Sequence, residues 1–192
     1  MEPNTGGLTG WIAENISIIN NIATSLVPIE KLVTGLAYLI GLSFIFKAIL
    51  SLKSLGESRA MMSNHGNLKE SLAYLVVGAV FVYFPTGLAI VLNTTFGSSS
   101  ILQYQAVDSQ NQTINTLFGS NSMVGKGLSI IIQVIGLIAF VRGWVLIAKS
   151  SGTGQQPGNL GKGMMHVFGG VLAMNIVLTL QIIDNTLYGP GS

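Results

Sequence analysis

Cysteine is absent from the 192 residues, so a disulfide framework, a thiolate nucleophile and a zinc–thiolate site are all excluded. Charge is nearly as scarce. Only 8% of residues are charged, against roughly 25% in an ordinary soluble domain. The net charge of +2 is small, and no Arg/Lys cluster with interleaved aromatics occurs, so no direct nucleic-acid binding is expected. Alternation of period two is missing, which disfavours a β-barrel. A basic n-region leading into an apolar core and a small-residue cleavage site is also missing, so no cleaved signal peptide is expected. What fills the chain instead is apolar. Hydrophobic residues make up 49% and glycines number 24, with a mean hydropathy of +0.61. Closely packed membrane helices have this composition.

Four segments match the roughly 20 apolar residues that cross a bilayer. They run from Leu32 to Leu52, Leu72 to Leu92, Leu128 to Ala148 and Met164 to Ile183. The first is interrupted only by Lys47 and the third only by Arg142. Pro85 removes a backbone donor from the second and predicts a bend there. Hydrocarbon does not tolerate an open backbone, so these runs must be helical.

The chain also repeats itself. Asn67-Leu68 aligns with Asn159-Leu160, and the match continues without gaps through Gly78 on Gly170, Ile90 on Ile182, Asn93-Thr94 on Asn185-Thr186 and Gly97 on Gly189. Upstream, with the offset changed by three, Ile40-Gly41-Leu42 falls on Ile135-Gly136-Leu137 and Lys47 on Arg142. The expected fold is an all-α membrane protein of two tandem repeated helical hairpins. Residues 32–97 form the first hairpin, 98–122 a polar periplasmic connection, and 123–189 the second hairpin. Residues 1–31 form an outer-face segment. Within it Trp11, Ile12, Ile16, Ile19, Ile22, Ala23 and Leu26 recur at helical spacing among Glu14, Asn15, Asn20 and Asn21, which predicts an amphipathic helix. Pro28 is expected to separate it from the first span.

Basic residues set the orientation. Lys53, Arg59 and Lys69 lie between the first two spans, and Lys149 and Lys162 between the last two, against Lys31 and Lys126 at the opposite ends. This excess places both short loops in the cytoplasm and the N- and C-termini on the outer side, which is the periplasm in a bacterial inner membrane.

Lys47 and Arg142 are the candidate functional side chains. Each either snorkels to lipid headgroups or faces a polar lumen in an assembly. Ala37 with Gly41, and Ala139 with Gly143, make small-xxx-small faces for close helix packing, and Gly78, Gly136, Gly169 and Gly170 serve the same end. His65 and His166 have no carboxylates at ligand spacing, so no metal is expected. Asp108 and Asp184 are not in the position of buried proton carriers. Ser43, Asn175 and Gln181 are expected to hydrogen-bond between helices. The glycines at 158, 161 and 163 lack the preceding strand and the Gly-Lys-Ser/Thr ending of a phosphate loop. No convergent nucleophile, base and acid appear, so neither catalysis nor a cofactor is expected.

Three stretches carry a family resemblance: Gly136-Leu-Ile-Ala-Phe-Val-Arg142-Gly-Trp144, Gln156-Pro-Gly-Asn-Leu-Gly-Lys-Gly163 and His166-Val-Phe-Gly-Gly-Val-Leu172. They resemble the IcmC/DotE family, inner-membrane components of Dot/Icm type IVB secretion systems. Related proteins are IcmD/DotP, DotV and transfer proteins of I-type conjugation systems. The match covers the second hairpin, about a third of the chain. It implies a non-enzymatic structural or channel subunit for effector or DNA export. Its implied partners are membrane lipid and other secretion-system inner-membrane proteins, in a homo- or hetero-oligomer. The hairpins are also similar in layout to type IV secretion pilins, with a basic cytoplasmic loop and both ends outward. The alternatives are a small transporter or ion channel, and a holin-like pore-forming protein.

Overall fold

The computed structural model describes residues 5–60, 68–99, 104, 106, 114–115, 118–119, 122–152 and 158–189. His65, Asp108 and most of the 98–122 connection lie outside the described residues, as do the side chains of Trp11, Ile12 and Arg59. Six helices are described: α1 (Thr5–Ala60), α2 (Leu68–Val82), α3 (Phe84–Phe96), α4 (Met123–Lys149), α5 (Asn159–Met174) and α6 (Ile176–Tyr188). Two helical stretches, Ile16–Ser58 and Val124–Lys149, are long and apolar enough to cross a membrane. The count rises to four if each of the broken pairs α2–α3 and α5–α6 is one span.

Three expectations change here. α1 continues through Pro28, so the N-terminal segment is not a separate helix. Proline in a helix removes one N–H and crowds one carbonyl, and here the helical run on both sides carries the backbone through. The second span bends at Tyr83, beside Pro85 as expected, but the fourth, expected to be continuous, is interrupted at Asn175. Ser43 turns inward on its own helix, donating to the Leu39 carbonyl at 2.9 Å. Thr24, Ser25, Ser58 and Thr95 do the same four residues back. A hydroxyl satisfied within its own turn leaves no donor exposed to an apolar surround.

The chain divides into two compact units. One comprises Met1–Glu30, Ser100–Ile135 and Leu172–Ser192, and the other Lys31–Ser99 and Gly136–Val171. The first hairpin therefore lies wholly in one unit, and the second is shared between them. In the discontinuous N-terminal unit, Phe118 and Val177 are buried together among Tyr104, Ile114, Leu128, Ile176 and Leu180. The Tyr104 hydroxyl donates to the Gly119 carbonyl at 2.8 Å, and burial pushes its pKa up. Ala23 is buried, and Gly127 lies against Ile19.

The other unit is built on backbone contact. A Cβ at Gly41 would meet the Gly78 carbonyl at 3.1 Å and Phe81 Cβ at 2.8 Å. A Cβ at Gly170 would meet the Gly136 carbonyl at 2.7 Å, and one at Gly143 would meet the Gly163 carbonyl and Val167 nitrogen, both at 2.7 Å. Only glycine permits approaches this close. A run of aromatic contacts, Phe44–Phe81, Phe81–Phe84, Phe84–Phe140 and Phe140–Trp144, joins the two hairpins, with centroids 6.0–6.3 Å apart.

Candidate functional site

Lys47 projects from α1 toward α2. Its Nζ donates to the Tyr74 hydroxyl at 2.7 Å, lies 4.1 Å from the Tyr74 ring centroid, and is 4.0 Å from Glu70 Oε1. Tyr74 is buried and packs against Phe44 with ring centroids 5.4 Å apart and planes tilted by 43°. One turn along, the Ser51 and Ser71 hydroxyls are hydrogen-bonded at 2.7 Å. The cation of the first hairpin is thus held by an acid, a phenol and a π face. Glu70 also stands in the first turn of α2, where a negative charge favours the helix dipole.

Arg142 is exposed on α4 and makes no ion pair among the described residues. Across from it, α5 has no acidic residue in its first turn. The offset of 92 that aligns the sequence puts Lys162 where Glu70 stands and His166 where Tyr74 stands. His166 Nδ1 is 2.8 Å from the Lys162 carbonyl on its own helix. The cations expected in loops lie within helices instead, Lys53 on α1, Lys69 on α2, Lys149 at the end of α4 and Lys162 on α5. Lys53 pairs with Glu57 at 3.7 Å, while Lys149 and Lys162 are exposed. Lys69 is also exposed.

The predicted packing positions divide. Ala37, Gly41, Gly78, Gly136, Gly143 and Gly170 are buried. Ala139 is half-buried, and Gly169 faces outward with open space beyond its Cα. Gly163, not among the predicted packing positions, is also buried and makes a close contact of α5 against Gly143 and Ile147.

The two helix breaks are 92 positions apart, the same offset as the repeat. At Tyr83 the chain turns through 83°. Pro85 explains this break, because in a continuous helix it would offer no N–H to the Phe81 carbonyl and its ring would clash with that carbonyl. At Asn175 (φ −130°, ψ 55°) no proline is present. There the Thr179 hydroxyl reaches the Leu172 and Asn175 carbonyls, both at 2.9 Å. It supplies a donor to a carbonyl that the break has taken out of the helical ladder. Both distal arms end on a glycine of positive φ, Gly97 (70°) and Gly189 (87°).

Beside the first break lies an almost wholly apolar cleft of about 380 Å³, bordered by Tyr83, Phe84, Leu88, Phe140 and Trp144. The Trp144 Nε1 is buried without a hydrogen-bond partner among the described residues. Asp184, which the sequence did not place as a buried group, is only 5% exposed, and Ser129, Gln133 and Asn175 are buried polar residues of the same unit. Periodicity gave no sign of this set, because its burial depends on tertiary packing. Among the described residues no group of three His, Asp or Glu side chains lies close enough to hold a metal ion. No protein-family model, curated protein or solved structure matches this chain.

Proposed function

We propose that the chain is a non-enzymatic structural or channel subunit of the bacterial inner membrane. It assembles by helix packing into the platform of a type IVB secretion or related conjugation apparatus, with pilin-like hairpins. The secretion role rests on the resemblance carried by Gly136–Trp144, Gln156–Gly163 and His166–Leu172. The assembly role rests on a face of α1. Leu32, Leu36, Leu39, Ser43, Phe46 and Leu50 are all exposed, and their spacing alternates four and three. That period of 3.5 is the seam of a left-handed helix pair with a crossing near 20°. Five of the six are large and apolar, and Ser43 has its hydroxyl folded away, so the stripe offers a second α1 a surface with no polar cost.

Single cysteines at Leu39 and Phe46, in a chain otherwise free of cysteine, test this by oxidative crosslinking in membranes. Crosslinked dimers and larger species at both positions, with none at Val33 on another face, are the expected result. Monomer alone at both positions overturns the assembly model. Cysteines at Ser58, Ser109 and Ser151, probed with a membrane-impermeant maleimide, test the orientation. Labelling at Ser109 alone is expected. Labelling at Ser58 and Ser151 inverts the topology and removes the pilin-like layout. Loss of effector or DNA transfer on deletion, with membrane potential intact, separates the secretion role from a holin-like pore.

A further inference from the structure

The two hairpins offer the same three positions with opposite electrostatics. Lys47 and Glu70 each stand one residue before Ala48 and Ser71, and Tyr74 follows Glu70 by one turn. Ala48 and Ser71 are fully buried. In an antiparallel helix pair, residues one step N-terminal of the seam on both helices emerge on the same side. That is the geometry by which Lys47 reaches Glu70 and Tyr74. Arg142, Lys162 and His166 likewise stand one residue before Gly143, Gly163 and Val167, which are in contact. The same register sets Arg142, Lys162 and His166 on one side of the second pair at one level. Lys149 follows Arg142 by seven residues, two turns along the same face.

Within their own stretch of the chain these cations have no acid to meet. No Asp or Glu occurs between Gly136 and Val171. Arg142, Lys149 and Lys162 are exposed. The outward residues of α5 next to them are apolar: Leu160, Met164, Met165 and Phe168, with Met165 73% and Phe168 61% exposed. A cationic cluster bordered by exposed apolar side chains has the chemistry of an anionic phospholipid, phosphate on the cations and acyl chain along the helix. We propose that this face of the second hairpin, formed by Arg142, Lys149 and Lys162, selectively binds an anionic phospholipid headgroup, and that the first hairpin does not. The selectivity is set by a charge reversal at one position, Glu70 in the first hairpin and Lys162 in the second. The inference rests on the membrane reading of these helices and is independent of the secretion role.

The test uses the purified full-length chain in phosphatidylcholine vesicles that carry trace spin-labelled phosphatidylglycerol or spin-labelled phosphatidylcholine. The immobilised fraction of each label gives the relative association of the two headgroups. Wild type is expected to favour phosphatidylglycerol, and Arg142→Gln to lower that preference about fivefold, with a larger drop for Lys162→Glu. Glu70→Lys is expected to raise the preference by creating a second cationic face. It decides the matter even if the charge-removing variants insert poorly. Unchanged preference in Arg142→Gln and Lys162→Glu, or no gain in Glu70→Lys, overturns the site. Abolition of the preference by inorganic phosphate with the lipid unchanged overturns the lipid assignment in favour of a free anion. A chain that fails to float with either vesicle contradicts the membrane reading itself and is distinguishable from both.

Discussion

Set side by side, the hairpins agree in backbone and disagree in charge. Each brings a glycine of its first helix against a glycine of its second, Gly41 with Gly78 and Gly136 with Gly170. Each interrupts its second helix at the same repeat position, and each ends on a glycine of positive φ. Yet the first neutralises its cation with Glu70 and Tyr74, while the second carries Lys162 at the position of Glu70 and His166 at that of Tyr74. The breaks also use different chemistry, a proline in one case and a threonine hydroxyl in the other. Steric constraints at a helix contact are absolute, so glycine must stay wherever backbones touch. Charges one residue away from the contact are free to change without disturbing the packing.

Alanine at the glycine contacts tests the comparison most severely. A methyl at Gly170 would meet backbone at 2.7 Å, from both the Gly136 carbonyl and the Phe140 nitrogen. One at Gly78 would first meet the Ile45 side chain at 2.8 Å, with backbone no nearer than 3.1 Å. A side chain can yield where backbone cannot. Gly170→Ala is therefore expected to cost about 3 kcal/mol and Gly78→Ala about 1 kcal/mol, read by unfolding titration in mixed micelles. Equal costs would mean that the two contacts are equally tight.

The breaks give the next largest contrast. Thr179→Val removes the hydroxyl that serves the Leu172 carbonyl, with an expected loss of about 1 kcal/mol. Pro85→Ala restores a backbone donor, so spin labels at Val76 and Asn93 should move apart as the 83° bend relaxes. If Thr179→Val lengthens that same distance, the two breaks are coupled and do not act independently.

Smaller still is the difference between the two cations. Lys47→Met should lose about 1 kcal/mol with the Tyr74 hydrogen bond and ring contact. Arg142→Met, which breaks no ion pair among the described residues, should stay within about 0.5 kcal/mol of wild type. The reverse ranking would place Arg142 in a structural role.

What the sequence makes legible follows from how local each cause is. Apolar length marks the helices, Pro85 marks its own break, and small residues four apart mark Gly41 and Gly143. The break at Asn175 is not marked, because the group that supports it, the Thr179 hydroxyl, serves a carbonyl seven residues back. The Lys47–Glu70 pair joins residues 23 apart, and the burial of Asp184 depends on neighbours in distant sequence. Helix register decides both, and periodicity within one helix carries no information about it. Gly169 shows the converse. It has the composition of a packing site and the wrong face of α5.

The bend at Tyr83 has a consequence for the bilayer around the protein. α2 has 15 residues, a length of about 22 Å, before the chain turns. The hydrocarbon core of a membrane is about 30 Å thick. An α2 that meets lipid directly is therefore about 8 Å too short to cross it. Where α2 crosses alone, the lipid beside it is expected to draw its headgroups inward to meet the helix end, a local thinning of the membrane.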